Sequence, residues 1–256
     1  MLNNVLIGLE TNIGSREKQQ DAAIAVTNDL DENTKSRALA VLCDGMGGMQ
    51  GGEKASNLCV DTIYEDYSNM EKIPDITQFL FDEIDGLDEQ VSNMCDENGD
   101  SLKAGTTLVA VVIEDDKLYW AGVGDSRLYI VRNNEIMQVT KDHNYMMELM
   151  ELVEQNKLSM EEALSNSERE ALISYVGIGG IKYIDYNKHP FILQEGDLLV
   201  MCSDGLYRNL EDEYIKQIVM ASDEDMSVAA KCLVDEVLKQ GNKHQDNLTV
   251  ITIKYQ

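Results

Sequence analysis

Short apolar runs broken by acids, glycines and asparagines predict strands at 38–43, 106–113, 117–123, 127–132, 197–202 and 247–255. Asp115-Asp116 and Asn133-Asn134 sit where hairpins would close. Between the strands the period changes. Ala55, Leu58, Cys59, Thr62 and Ile63 recur at helical spacing, as do Ile76, Phe79, Leu80, Ile84, Leu87, Val91 and Met94. A third helix is expected at about 228–238, with Leu233, Val234, Val237 and Leu238 inward and Gly241 just beyond its end. The stretch MMELMELVEQNKLSMEEAL reads as a further helix whose Met and Leu positions pack down. Strands that follow one another directly, with amphipathic helices grouped between them, point to antiparallel sheets covered by helices and away from a βαβ series.

Acids recur where these strands begin and end. AVLCDGMGG runs an apolar strand into Asp44-Gly45, and LLVMCSDGL does the same at Asp204-Gly205. HQDNLTVITIKY opens the last strand with Asp246, and WAGVGDSRLYIV places Asp125 just past another. If the last strand runs antiparallel to the two that end in acids, Asp44, Asp204 and Asp246 share one rim of the sheets. Carboxylates crowded in a partly buried place repel one another, and a hard divalent cation with oxygen ligands relieves that repulsion; Mg²⁺ and Mn²⁺ both suit.

Composition narrows the classes. Lys and Arg number 21 against 47 Asp and Glu, a formal charge of -26 in 256 residues, so a nucleic-acid backbone or an anionic membrane would be repelled over most of the surface. Cys43, Cys59, Cys95, Cys202 and Cys232 are odd in number, widely spaced and without a Cys-x-x-Cys pair, which reads as reduced thiols in a cytoplasmic protein. Neither a signal peptide nor a membrane-spanning run is present in the pattern. With two prolines, no linker and no repeat, residues 1–256 are expected to form a single domain.

In chain order, Arg16-x-x-x-Gln20-Asp21, Asp44-Gly45-Met46-Gly47-Gly48, Gly105-Thr106-Thr107, Gly124-Asp125-Ser126-Arg127, Ser203-Asp204-Gly205 and Asp246-Asn247-x-Thr249 resemble the motifs of the metal-dependent protein phosphatases of the PPM/PP2C family. The resemblance spans nearly the whole chain. It implies an α+β fold, a central sandwich of two antiparallel sheets flanked by helix pairs, with a two-metal site at one end. It implies that Asp44 bridges two Mn²⁺ or Mg²⁺ ions, that the Gly45 carbonyl is a ligand of one, and that Asp204 and Asp246 complete the other. Asp21 matches an acid that acts through water at the metals, Arg16 the arginine that grips the substrate phosphate, and Asp125 an acid linked in bacterial members to a third, weaker ion. Residues 144–186 correspond to the flap beside the active site.

The activity so implied is hydrolysis of phosphoserine and phosphothreonine in proteins by water activated between two metals, opposing a Ser/Thr kinase. The implied state is a monomer without nucleic-acid or membrane partners. Cys43 and Cys202 lie in strand cores without a Cys-x5-Arg phosphate loop and are read as structural. His143 is read as a structural hydrogen-bonding residue. Met46 stands where many eukaryotic members carry a histidine proposed to protonate the leaving group, so that role has no obvious holder. Two other classes compete: a metal-binding pseudophosphatase that docks phosphoproteins without turnover, which loss of Asp44, Asp204 or Asp246 would have favoured, and a nuclease, which the acidic surface disfavours.

Overall fold

The computed structural model describes residues 5–28, 37–46, 51–222 and 224–256. Gly47 and Gly48 of the glycine-rich motif lie outside the described residues. In chain order the elements are β1 (Val5–Asn12), β2 (Asp21–Asn28), β3 (Arg37–Asp44), α1 (Gly52–Asn69), α2 (Ile76–Ser92), β4 (Leu108–Glu114), β5 (Lys117–Val123), β6 (Arg127–Arg132), β7 (Glu135–Gln138), α3 (Tyr145–Glu154), α4 (Met160–Ser165), β8 (Asp185–Tyr186), β9 (Phe191–Ile192), β10 (Leu198–Cys202), α5 (Asp204–Tyr207), α6 (Asp212–Ala221), α7 (Met226–Lys239) and β11 (Leu248–Tyr255).

One sheet has the order β1-β11-β10-β6-β7 and the other β2-β3-β4-β5-β8, with β9 paired to β5. Neighbouring strands pair antiparallel in both sheets. The two-residue side-chain period then builds the layers. Leu39, Val41 and Cys43 of β3 face helices α1 and α2, packing with Ile63, Leu80 and Ile84. The alternate residues Ala38, Ala40 and Leu42 face the other sheet, against Leu199, Met201 and Ile251. On the far side Val200, Cys202 and Val250 pack under α6 and α7 through Ile215, Leu233 and Val237. Strands covered on both faces have no polar side, which is why ALAVLC and LVAVVI read as unbroken apolar runs. The result is the expected α-β-β-α sandwich.

The hairpins form where expected. Asn133 and Asn134 join β6 to β7 with φ of 53° and 64°, the two positive values a type I′ turn requires. Several elements differ from the sequence reading. β1, β2, β7, β8, β9, α5 and α6 were not anticipated, and the strand expected at 106–113 begins at Leu108, with Thr106 bridging Gly45 and Val176 instead. The third helix starts at Met226, and Leu238 points outward at 38% exposure because it falls on the solvent side of α7. The Met- and Glu-rich stretch is two helices, α3 and α4, separated at Asn156, whose φ is 55°. Only Leu149 and Ala163 are buried in them, while Met160 and Leu164 are exposed, so the methionines do not pack down as a row. Beyond α4 the chain is pinned again: Asp88 of α2 accepts backbone N–H bonds from Gly177 (2.7 Å), Gly179 (3.1 Å) and Gly180 (2.6 Å). No helix among the described residues is long and apolar enough to cross a membrane.

Candidate active site

Antiparallel order carries the acids to one end of the sandwich. Asp21 opens β2 opposite Asp44, which closes β3. In the other sheet Cys202 pairs with Val250, so Asp204 just beyond β10 lies beside Asp246 just ahead of β11. The two rims are joined by the Ser203 hydroxyl, which donates to Asp21 Oδ2 at 2.8 Å and accepts from the Thr249 N–H at 3.0 Å. A pocket of about 220 Å³ opens here, lined by Asp44, Asp125, Asp204 and Asp246 together with Gly45, Met46, Gln20, Glu170 and Arg208.

Local bonds fix each group. The Asp44 N–H donates to Thr107 Oγ1 (3.0 Å) and the Gly45 N–H to the Gln20 carbonyl (3.0 Å), which holds the strand end square to its neighbours. Asn247 fastens the loop that carries Arg16: its Nδ2 donates to the Ile13 and Lys18 carbonyls at 2.9 and 3.0 Å, and its Oδ1 accepts from the Gln20 N–H at 2.8 Å. Arg16 Nη2 then reaches Asp246 Oδ2 at 2.5 Å from a half-exposed position on the rim. Arg208 pairs with Asp204 (2.8 Å) and Glu170 (2.5 Å) and stands 3.6 Å from Asp125.

The electrostatics are those of crowded anions. Burial, then the charges of Asp21, Asp204, Asp125 and Asp246, push the Asp44 carboxyl well above the usual carboxylate range. Burial, reinforced by Asp125, raises Asp204 to about 7 despite Arg208. Burial raises Asp21 to about 6, against hydrogen bonds from Thr249 and Ser203. Asp125 is raised by burial while Arg208 and the Tyr207 hydroxyl oppose the shift. Asp21 Oδ1 is buried and has no protein hydrogen bond. Oxygen donors that repel one another, with an unsatisfied buried oxygen among them, fit a hard divalent cation. No three His, Cys, Asp or Glu side chains among the described residues are already drawn into one metal-holding set. Arginines instead hold Asp204 and Asp246.

All the predicted site residues lie at this end: Asp44, Gly45, Asp125, Asp204 and Asp246 in the pocket wall, Arg16 at its rim and Asp21 beneath it. The sequence reading missed Arg208 and Glu170, and it named Ser203 in a motif without giving it a part. Arg208 was findable, since it follows Asp204 by four residues, the spacing at which side chains meet on a helix. Glu170 carried no such signal. Cys43 and Cys202 are buried with thiols pushed up by burial, which leaves neither a nucleophile.

His143 supports the site from behind. Its Nδ1 accepts the Gly124 N–H at 3.3 Å and its own N–H donates to the Gly124 carbonyl at 2.9 Å, which fixes the turn into Asp125. Burial pulls its pKa from 6.5 to about 4, so the folded protein holds the neutral acceptor form. The unfolded chain therefore binds the proton more readily between these values. This contribution is fully present above about pH 6.5 and is lost as pH falls towards 4, amounting to about 3 kcal/mol. Urea unfolding of the wild type and of His143→Asn at pH 7 and pH 4.5 should show a flatter pH profile in the variant; parallel profiles would remove His143 from the acid sensitivity.

The chain belongs to the protein phosphatase 2C family: the family model described as Protein phosphatase 2C matches residues 6–148, more than half of its length. A model described as Stage II sporulation protein E matches residues 165–256. The serine/threonine phosphatase stp of Listeria welshimeri is 29% identical over 226 residues, covering 87% of this chain and 86% of the relative. The solved serine/threonine phosphatase of S. agalactiae superposes with a TM-score of 0.83 at 28% identity, over 98% of this chain and all of that one. The catalytic domain of the serine threonine protein phosphatase PstP, solved in complex with two manganese ions, superposes with a TM-score of 0.75 at 25% identity, over 98% of this chain and 97% of that one.

Proposed function

We propose that this chain, a protein-serine/threonine phosphatase by class, hydrolyses phosphoserine and phosphothreonine monoesters in proteins at a site for two divalent cations, Mn²⁺ or Mg²⁺, within one phosphatase domain. The observation that carries this reading is the meeting of Asp21, Asp44, Asp204 and Asp246 where the rims of both sheets join, with the carboxyls of Asp21, Asp44 and Asp204 raised by burial and then by their charged neighbours.

Asp44, the Gly45 carbonyl, Asp204 and Asp246 are the residues that would hold the ions. Divalent ions held there would supply neutralisation of phosphate charge and a lowered pKa for water, the chemistry that lets water displace a serine or threonine oxygen at neutral pH. Asp21, with Oδ2 fixed by Ser203 and Oδ1 free of protein partners, orients water from below. Arg16 keeps donors for phosphate oxygens beyond the one it gives Asp246. Met46 lines the pocket with a thioether that has no proton to give, so the leaving oxygen takes its proton from elsewhere. A serine/threonine kinase is the class of enzyme that must supply the substrate.

Incubation with Mn²⁺ and, separately, a phosphoserine peptide, an aryl phosphate monoester, a phosphodiester and DNA tests the reading. Turnover of both monoesters, abolished by chelator and absent on the diester and DNA, is expected. Peptide binding without turnover would make the protein a docking module, and cleavage of DNA would make it a nuclease. Arg16→Ala should raise KM for the phosphopeptide about 10- to 100-fold, the worth of one charge-assisted bond of about 1.5 to 3 kcal/mol. An unchanged KM would leave Arg16 with no role beyond its ion pair with Asp246.

A further inference from the structure

Arg208 caps the short helix α5 one turn beyond Asp204, and its backbone N–H donates to the Asp204 carbonyl at 3.1 Å. That turn aims the guanidinium back over the helix start. Nε lies 2.8 Å from Asp204 Oδ2, Nη2 3.6 Å from Asp125 Oδ2, and Nη1 2.5 Å from Glu170 Oε2. Asp125 is 5% exposed, and its Oδ2 also accepts the Tyr207 hydroxyl at 3.2 Å. Tyr207 is itself held: the Arg127 guanidinium stacks 3.5 Å over its ring while binding Asp142 through two bonds of 3.0 and 2.7 Å. Arg127 is thereby committed elsewhere, and among the described residues Arg208 is the cation that faces Asp125 and Asp204 together.

The resemblance assigned Asp125 to a third ion. The donors around it do not suit one. A permanently charged guanidinium stands 2.8 Å from Asp204 Oδ2 and 3.6 Å from Asp125 Oδ2, so a dication shared by these two oxygens would have to displace it, whereas an ion held by Asp204 through Oδ1 would not.

We propose that Arg208 is a built-in cation of this site, taking the place beside Asp125 that a third divalent ion would fill, so that the protein binds two ions and not three. The inference rests on the two-ion reading above and deepens it. It also gives Glu170 a part: the same guanidinium ties the 144–186 segment to the acids, between the catalytic pocket and an adjoining cavity of about 480 Å³ bounded by Arg127, Asp142 and Tyr207.

Equilibrium dialysis against Mn²⁺, with bound metal counted by atomic emission, tests this on the intact chain. The wild type should bind two equivalents. Arg208→Gln should bind a third, or hold its weakest ion about tenfold more tightly, because a positive charge has left the carboxylates. Arg208→Lys, which keeps the charge, should stay near wild type, and Arg208→Gln combined with Asp125→Asn should return to two equivalents. Three equivalents in the wild type would overturn the inference and leave the two-ion reading standing, as would a folded Arg208→Gln protein with unchanged stoichiometry and affinity. A wild type that binds no Mn²⁺ would overturn both. Should Arg208→Gln fail to fold, the wild-type count and the Arg208→Lys protein still decide the matter.

Discussion

Replacing Asp204 or Asp246 with Asn is expected to lower Mn²⁺-dependent turnover of a phosphopeptide roughly a thousandfold, a loss of about 4 kcal/mol of transition-state stabilisation. The change keeps the side chain's shape and removes the charge that would hold an ion. Asp204→Asn should also gain stability in chelator at pH 8. Folding raises this carboxyl from 3.8 to about 7, so its ionised form opposes the fold at any pH above that range. The relief is on the order of 2 to 4 kcal/mol before the loss of the Arg208 ion pair is subtracted. Steady-state kinetics at saturating Mn²⁺ and urea unfolding in chelator check the two halves separately. Retention of more than a few per cent of the wild-type rate would take these residues out of the ion-holding set. Lost stability in chelator would show that the Arg208 ion pair outweighs the relief of the buried charge.

The second large effect belongs to Gly205. A Cβ at this position would stand 2.1 Å from the Asn247 carbonyl oxygen, with the Leu248 Cα at 3.2 Å, and both are backbone atoms that no rotamer change can move. Gly205→Ala must therefore push the start of β11 away from α5, which separates Asp246 from Asp204. A stability loss of about 3 kcal/mol is expected, with an activity loss that persists at high Mn²⁺. Gly86→Ala is the matched control: it lies in α2 with nothing within 4 Å of an added Cβ, and should stabilise by about 0.5 to 1 kcal/mol. Equal behaviour of the two variants would show that α5 and β11 can part without cost.

What could be read from the chain beforehand follows from how each element is buried. β3 and β4 are covered on both faces, so their apolar runs are long and unambiguous. β1 alternates weakly and is half exposed, with Gly8 in its middle, and only its full-length pairing with β11 makes it a strand. The acids of the site were legible because each sits at a strand end, a position that local pattern marks. Their convergence was not, because it depends on which rim of one sheet meets which rim of the other. The Arg16–Asp246 pair spans 230 residues and follows from no local rule. Glu170 belongs to a segment whose two helices bury little, so neither period nor composition fixed where it would lie.

The carboxylate of Asp88 has a consequence for how the 144–186 segment moves. Its three amide bonds seize a turn in which Gly177, Gly179 and Gly180 all have positive φ, the kind of backbone that ordinarily wanders. One end of the segment is thus moored to a core helix, while α4 leaves Met160 and Leu164 in water and buries only Ala163. Any movement of the segment would pivot at this fixed point. Hydrogen exchange should register it as a sharp step along the chain, fast through α4 and slow at these three glycines.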